Sequence, residues 1–222
     1  MVVQRPVPYH LTNNFNKLSG FSSDWNRLVA SLLMLCLMVY AANCAADSPW
    51  IMVDTTAQSL SVVQNGQIKE HFANVSLGRN GYGRNRYRGD KRTPLGTFQV
   101  AWVNTDSQFR TFFGLDYPNY DHAKDAVDNN IIDFDTYLDI LTAIYKGRLP
   151  PQNTALGGYI GIHGLGNADP DIHKRMNWTR GCVALTNEQI DALARWIKVG
   201  TRVVIAEGAL AALDNSEIDG NR

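Results

Sequence analysis

Cysteine is scarce in this chain. Only Cys36, Cys44 and Cys182 occur in 222 residues, which excludes a fold stapled by a network of disulfides. No charge of either sign predominates, because 21 basic and 21 acidic residues cancel. A broad basic surface for a nucleic-acid backbone is therefore missing, and no nucleic-acid partner is expected. Charged residues reach only 19% against 45% hydrophobic, a balance opposite to that of disordered chains. There are no internal repeats, and the length suits one ordinary domain with an appendage. Long apolar runs are absent too, with one exception: Leu28 to Ala42, fifteen residues without a charge.

That run is shorter than the roughly 20 residues a membrane span requires, and it matches the apolar stretch of an export signal. Arg27 stands just before it, and small residues from Ala41 to Ala46 follow, with cleavage expected after Ala46. Two other fates are retention as a membrane anchor and lipidation at Cys44. The expected organisation is a signal or anchor over 1–46, a domain over 47–208 and a flexible tail over 209–222. The expected location is the periplasm or cell envelope. Without residues 1–46 the chain keeps 21 − 3 = 18 basic and 21 − 1 = 20 acidic groups, and Cys182 is its single cysteine. A lone exported thiol is either a buried filler or a reactive group.

The front half of the domain predicts strands. Trp50–Val53, Ser59–Val63, Phe72–Leu77 and Thr97–Val103 carry the apolar runs, and Asn65-Gly66 supplies a hairpin turn. Residues 79–92 read as a loop with six basic side chains, Arg79, Arg84, Arg86, Arg88, Lys91 and Arg92. A helix is predicted over Asp133–Lys146, with Phe134, Leu138, Leu141 and Tyr145 at helical spacing and Gly147 ending it. Residues 117–152 thus form a helical insertion, either a lid or a structural hairpin. Gly158–Ile162 predicts a strand delivering His163, and Thr186 with Gln189 has capping-box spacing. An apolar stripe of Ile190, Leu193, Ala194 and Ile197 continues to Gly200, and Thr201–Ala206 predicts the last strand.

Chemistry points to Ile162-His163-Gly164 and Thr179-Arg180-Gly181-Cys182. A thiol of ordinary pKa, about 8.5, is mostly protonated at neutral pH and needs a base to become a nucleophile. An imidazole beside it takes that proton and returns it to a leaving amine. Gly181 allows a tight turn and close approach of substrate to the backbone amides around Cys182, the requirement for an oxyanion site. The residues alone leave a buried structural cysteine as an equal reading. A metal site would need His163, His173 and Cys182 to converge, and no spacing here is that of a zinc motif. No metal or cofactor is expected.

These segments resemble the L,D-transpeptidase catalytic domain (the YkuD family). Ile162-His163-Gly164 leads on to Thr179-x-Gly181-Cys182, with fifteen residues between His163 and Thr179; Thr93-Pro94-Leu95-Gly96-Thr97-Phe98 matches the family's TPxGxF segment, and Gly200-Thr201-Arg202-Val203-Val204-Ile205 its closing strand. The resemblance implies a mainly β, mixed sandwich-like fold with a helical insertion and a helix after the cysteine. It implies Cys182 as nucleophile, His163 as base, Thr179 near the site and Gly181 with Cys182 at the oxyanion turn. The implied substrates are peptidoglycan stem tetrapeptides, with a wall-attached lipoprotein as a further acceptor. Two residues depart from the family pattern: Arg180 stands where many members have His, and Ala184 where many have Arg. Arg88, Arg92 and Arg180, with Gly164, are the expected substrate contacts. Hydrolysis of the same peptides and non-catalytic wall binding remain the alternatives.

Overall fold

The computed structural model describes residues 48–210, together with Arg27 and Val29. Cys36, Cys44, the rest of the apolar run 28–42 and the tail beyond 210 lie outside the described residues. The strands are β1 (Trp50–Asp54), β2 (Ser59–Gln64), β3 (Gln67–Ala73), β4 (Tyr82–Gly83) and β5 (Thr93–Pro94). They continue as β6 (Gly96–Ser107), β7 (Arg110–Leu115), β8 (Gly161–His163), β9 (Val183–Ala184) and β10 (Arg202–Ala206). Eight of them form one mixed sheet in the order β3-β2-β1-β10-β6-β7-β8-β9. The remaining two, β4 within the basic loop and β5 just after it, pair in parallel. The fold is mainly β.

β1 sits in the middle of its half of the sheet, antiparallel to β2 and parallel to β10. A strand paired on both edges and covered on both faces reads as a continuous apolar run, and Ile51, Met52 and Val53 are accordingly buried. Asn65 and Gly66 take φ of 55° and 73°, the paired positive values of a two-residue hairpin turn. β3 therefore begins at Gln67, opposite Gln64, and not at Phe72 as the sequence pattern predicts. A tight turn pairs its strands from the first residue onward. The end of the expected strand serves differently, since Ser76 bridges Ala184 and Gly78 bridges Thr179.

β6 is longer than predicted. Its first part pairs with β10 and its second with β7, with a register irregularity between Val100 and Trp102. β7, which has no counterpart among the predicted strands, then pairs with β8. The main core lies against this sheet and includes Phe98, Leu115, Ile162, Val183 and Ile190.

The insertion between β7 and β8 carries α1 (Tyr120–Asp128) and α2 (Phe134–Tyr145). Asn119 and Asp133 cap them through side-chain oxygens that accept from His122 and Thr136. The ends of α2 agree with the prediction, but its buried face does not. Phe134 and Tyr145 are 62% and 92% exposed, whereas Ile140 is fully buried. Ile140 joins Ala123, Ala126 and Ile132 in the core. The small side chains of α1 admit a close neighbour, so packing within the hairpin selects the face, not the larger apolar stripe. α3 (Pro170–Arg175) and α4 (Asn187–Leu193) follow β8 and β9. α4 opens with a capping box of Thr186 and Gln189. It ends at Leu193, well before Gly200; Ile197 is still buried beyond it, and Ala194 is exposed. No helix among the described residues is long and apolar enough to cross a membrane.

Candidate active site

Two short parallel strands build the site. Ile162 lies opposite Val183 and His163 opposite Ala184, so the same register sets Cys182 beside Gly161. Alternate residues of a strand share a face, and His163 and Cys182 accordingly occupy one face of the pair on a diagonal. Glycine is required at 161, since a Cβ there would sit 2.5 Å from the Phe112 ring.

His163 is only 3% exposed. Its Nδ1 lies 2.7 Å from the Gly164 carbonyl oxygen. A carbonyl only accepts, so Nδ1 carries the hydrogen and Nε2 keeps the basic lone pair. The rings of Phe109, Phe112 and Trp178 surround it at centroid distances of 4.4, 5.8 and 5.9 Å. Burial pushes its pKa down to about 4; the Gly164 carbonyl pulls the other way, and His173 adds a small further decrease.

Cys182 is a free cysteine. Its Sγ donates to the Tyr159 carbonyl oxygen at 3.5 Å. Desolvation pushes the thiol up to about 11, although the Gly161 backbone and the Arg86 charge act in the opposite sense. The residue keeps partial exposure. At neutral pH the pair is thus a thiol and a free-base imidazole, and no ion pair stands ready.

The turn before Cys182 is closed by Thr179, which is buried. Its hydroxyl donates to the Cys182 carbonyl at 2.7 Å and accepts from the Gly181 amide at 3.0 Å. Gly181 has φ +124°, and a Cβ there would lie 2.6 Å from the Arg92 carbonyl oxygen. Glycine is therefore needed at 181, but its amide is engaged inside the turn and not held free for an oxyanion.

A cleft of about 510 Å³ opens beside the sulfur, lined by Arg86, Arg88, Lys91, Gln152, Tyr159, Arg180 and Cys182 among others. Its lining includes no acidic side chain. The expected substrate contacts separate here. Arg88 and Arg180 line the cleft, whereas the Arg92 guanidinium turns to the Tyr82 carbonyl. Gly164 packs behind His163, where a Cβ would meet Ile190 at 2.8 Å. Arg92 and Gly164 thus support the site from outside the cleft.

Arg86 behaves unlike the rest of its loop. It is 5% exposed and donates to the carbonyls of Arg92, Leu156 and Arg180 at 2.9, 2.8 and 3.4 Å. Asp90 lies 3.8 Å away. Such saturation is what makes a buried guanidinium tolerable. Sequence reasoning also passed over Tyr159 and Gln152. Tyr159 holds φ +54°, and Gln152 Oε1 accepts from its amide at 2.6 Å. The Gln152 amide nitrogen donates to the Tyr117 and Pro150 carbonyls at 2.7 and 2.8 Å, which pins both ends of the insertion together. Gly157-Gly158 was the one sequence signal that backbone crowds this segment. Among the described residues, no three His, Cys, Asp or Glu side chains gather in a way that could hold a metal ion.

The domain is mainly β, and it pairs the strand that ends at His163 in parallel with the strand that Cys182 enters. The L,D-transpeptidase catalytic domain family (YkuD) matches residues 48–205, and the chain belongs to that family. No curated protein matches it. Solved structures are similar to it at low identity. Bd1075 of Bdellovibrio bacteriovorus is 21% identical with a TM-score of 0.48, covering 73% of this chain and 49% of its own. The helical cell shape determining protein Pgp2 of Campylobacter jejuni is 20% identical with a TM-score of 0.49, covering 72% and 48%. An L,D-transpeptidase from Xylanimonas cellulosilytica is 16% identical with a TM-score of 0.41, covering 72% and 61%. The chain spans about half the length of the first two.

Proposed function

We propose that this protein is an exported cysteine acyltransferase acting on peptidoglycan stem tetrapeptides. The Cys182 sulfur attacks the carbonyl carbon of the bond between the third residue and D-Ala, while His163 Nε2 takes the thiol proton. The tetrahedral adduct collapses with cleavage of the C–N bond, and His163 returns its proton to the departing D-Ala amine. A thioester on Cys182 remains. An acceptor amine, from a second stem peptide or a lipoprotein, attacks that thioester and restores the thiol. Thr179 and Gly181 hold the nucleophile turn, and Arg88 and Arg180 pair with peptide carboxylates. The observation that supports this reading is the β8–β9 register, which puts His163 and Cys182 on one face, with Cys182 in the lining of a cleft without acidic side chains.

The apolar run 28–42 serves export in this reading, with domain 47–208 working in the envelope and 209–222 as a tail. Cleavage after Ala46, lipidation at Cys44 and retention as an anchor give different masses for the envelope-bound protein, and an intact-mass measurement separates them. The reaction itself is tested by incubating the protein with disaccharide-tetrapeptide and weighing the products. Cross-linked dimers with free D-Ala are the expected result. Tripeptide alone would establish hydrolysis in place of transfer. Unchanged substrate, together with no carbapenem adduct on Cys182, would remove the enzyme reading and leave a wall-binding module.

A further inference from the structure

His173 has no place in the chemistry above, yet it is buried, at 5% exposure. It sits in α3, and Ser76 Oγ donates to its backbone carbonyl at 3.1 Å, which ties that short helix to the sheet side of the site. Among the described residues, its ring has one side-chain hydrogen-bond partner. Trp178 Nε1 lies 3.2 Å from His173 Nδ1. An indole N–H can only donate, so Nδ1 is the acceptor and the ring hydrogen resides on Nε2. Burial lowers the His173 pKa against the pull of the Asn74 carbonyl, which keeps the ring in this accepting form.

The other face of the contact matters more. The Trp178 ring stands against His163 at 5.9 Å between centroids and 72° between planes. A tryptophan has two side-chain torsions to settle, and the bond to His173 selects one orientation of the indole. That orientation forms one wall of the cage around His163, opposite in kind to the flat contact with Phe112 at 8°. The Gly164 carbonyl fixes which nitrogen of His163 carries hydrogen, but one hydrogen bond still allows the ring to rock about it. An edge-on indole blocks that motion.

We propose that His173 is a positioning residue for the base: it accepts from Trp178, and the indole so held keeps the His163 ring in the plane from which Nε2 serves Cys182. The inference rests on His163 as the base in the proposed reaction. Neither residue touches the thiol, so the effect belongs to the rate of the chemical step and not to substrate binding.

The test uses the full chain with His173→Asn, His173→Phe, Trp178→Phe and the double variant His173→Phe/Trp178→Phe. Asparagine offers an oxygen acceptor near the place of Nδ1, whereas phenylalanine fills the space without one. Expected is a fall in kcat of about tenfold for His173→Phe and for Trp178→Phe, with KM unchanged and no further loss in the double variant. His173→Asn should recover at least half of the wild-type kcat. The inference is overturned if His173→Phe stays within twofold of wild type, if His173→Asn is as impaired as His173→Phe, or if the two losses multiply. A second readout is independent of turnover: the His163 ring signals in NMR should move or broaden in His173→Phe and hold in His173→Asn. Inactive wild-type protein with that NMR pattern intact would reject the proposed reaction and keep the positioning role. Unmoved His163 signals in His173→Phe would reject the positioning role whatever the activity.

Discussion

Two walls meet at Cys182 and are built on opposite principles, and only the loop wall lines the cleft. The strand wall behind it is dry: Ile162, Val183 and Ala184 are fully buried and His163 nearly so. The loop wall, residues 86–92 with 152–159, is polar and held by side chains donating to backbone carbonyls, Arg86 and Gln152 above all. Desolvation drives the imidazole down and the thiol up on the first wall. The second wall keeps Arg88 exposed and Lys91 half-buried at the cleft. One wall thus shifts the two titratable groups, and the other carries the cations of the cleft. The difference follows from water: a buried titratable group changes pKa, an exposed one is screened.

The sharpest way to break this division is to delete the nucleophile. Cys182→Ala should lower turnover by at least about 10⁴-fold while thermal unfolding stays close to wild type; retained activity would refute the assignment. Next in size is the pH dependence of the thiol. Because its pKa is pushed up to about 11, alkylation by iodoacetamide should rise about tenfold per pH unit, roughly 10³-fold from pH 7 to pH 10. A plateau near pH 8 would show that the strand wall does not raise the thiol.

Acid stability probes the same wall through His163. Its folded pKa of about 4 lies below the unfolded value of about 6.5, so the unfolded chain binds the proton first. Its contribution is complete above about pH 6.5 and declines as pH falls toward 4, by up to about 3 kcal/mol. Denaturant titrations of wild type and His163→Gln across that window measure it, and the variant should lose this share of the slope. Gly181→Ala comes next. With φ +124° and the Arg92 carbonyl in its way, it should cost about 2 kcal/mol in stability and about tenfold in turnover. The smallest effect belongs to the loop wall. Arg88→Ala and Arg180→Ala should each raise KM several-fold and leave kcat unchanged, and salt should shrink the difference. A loss confined to kcat would move those side chains to the chemical wall.

Much of this was legible before any coordinates. The hairpin turn at Asn65-Gly66, the ends of α2 and the capping box at Thr186 are local features, decided within four or five residues, and they appear where the sequence puts them. The same holds for His163 at a strand end and Cys182 after a glycine. The buried face of α2 was misread because its larger stripe, Phe134 to Tyr145, is not the one that packs. The bounds of β3 were misread because pairing from the turn outweighs apolar content. β7 was missed because only its pairing to β6 and β8 distinguishes it.

The basic loop shows the same boundary at single residues. Six cations in fourteen positions read alike in sequence, yet Arg86 is buried on three carbonyls, Arg92 turns to Tyr82, and Arg88 faces the cleft. By itself the sequence determined the family and the local turns and pointed to Cys182 and His163 as the reacting pair, because spacing and residue type carry that information. Tertiary structure alone decided which nitrogen of His163 is basic, which arginines meet solvent and how His173 reaches the site through Trp178. Those depend on contacts between residues far apart in the chain, and burial there sets both charge state and orientation.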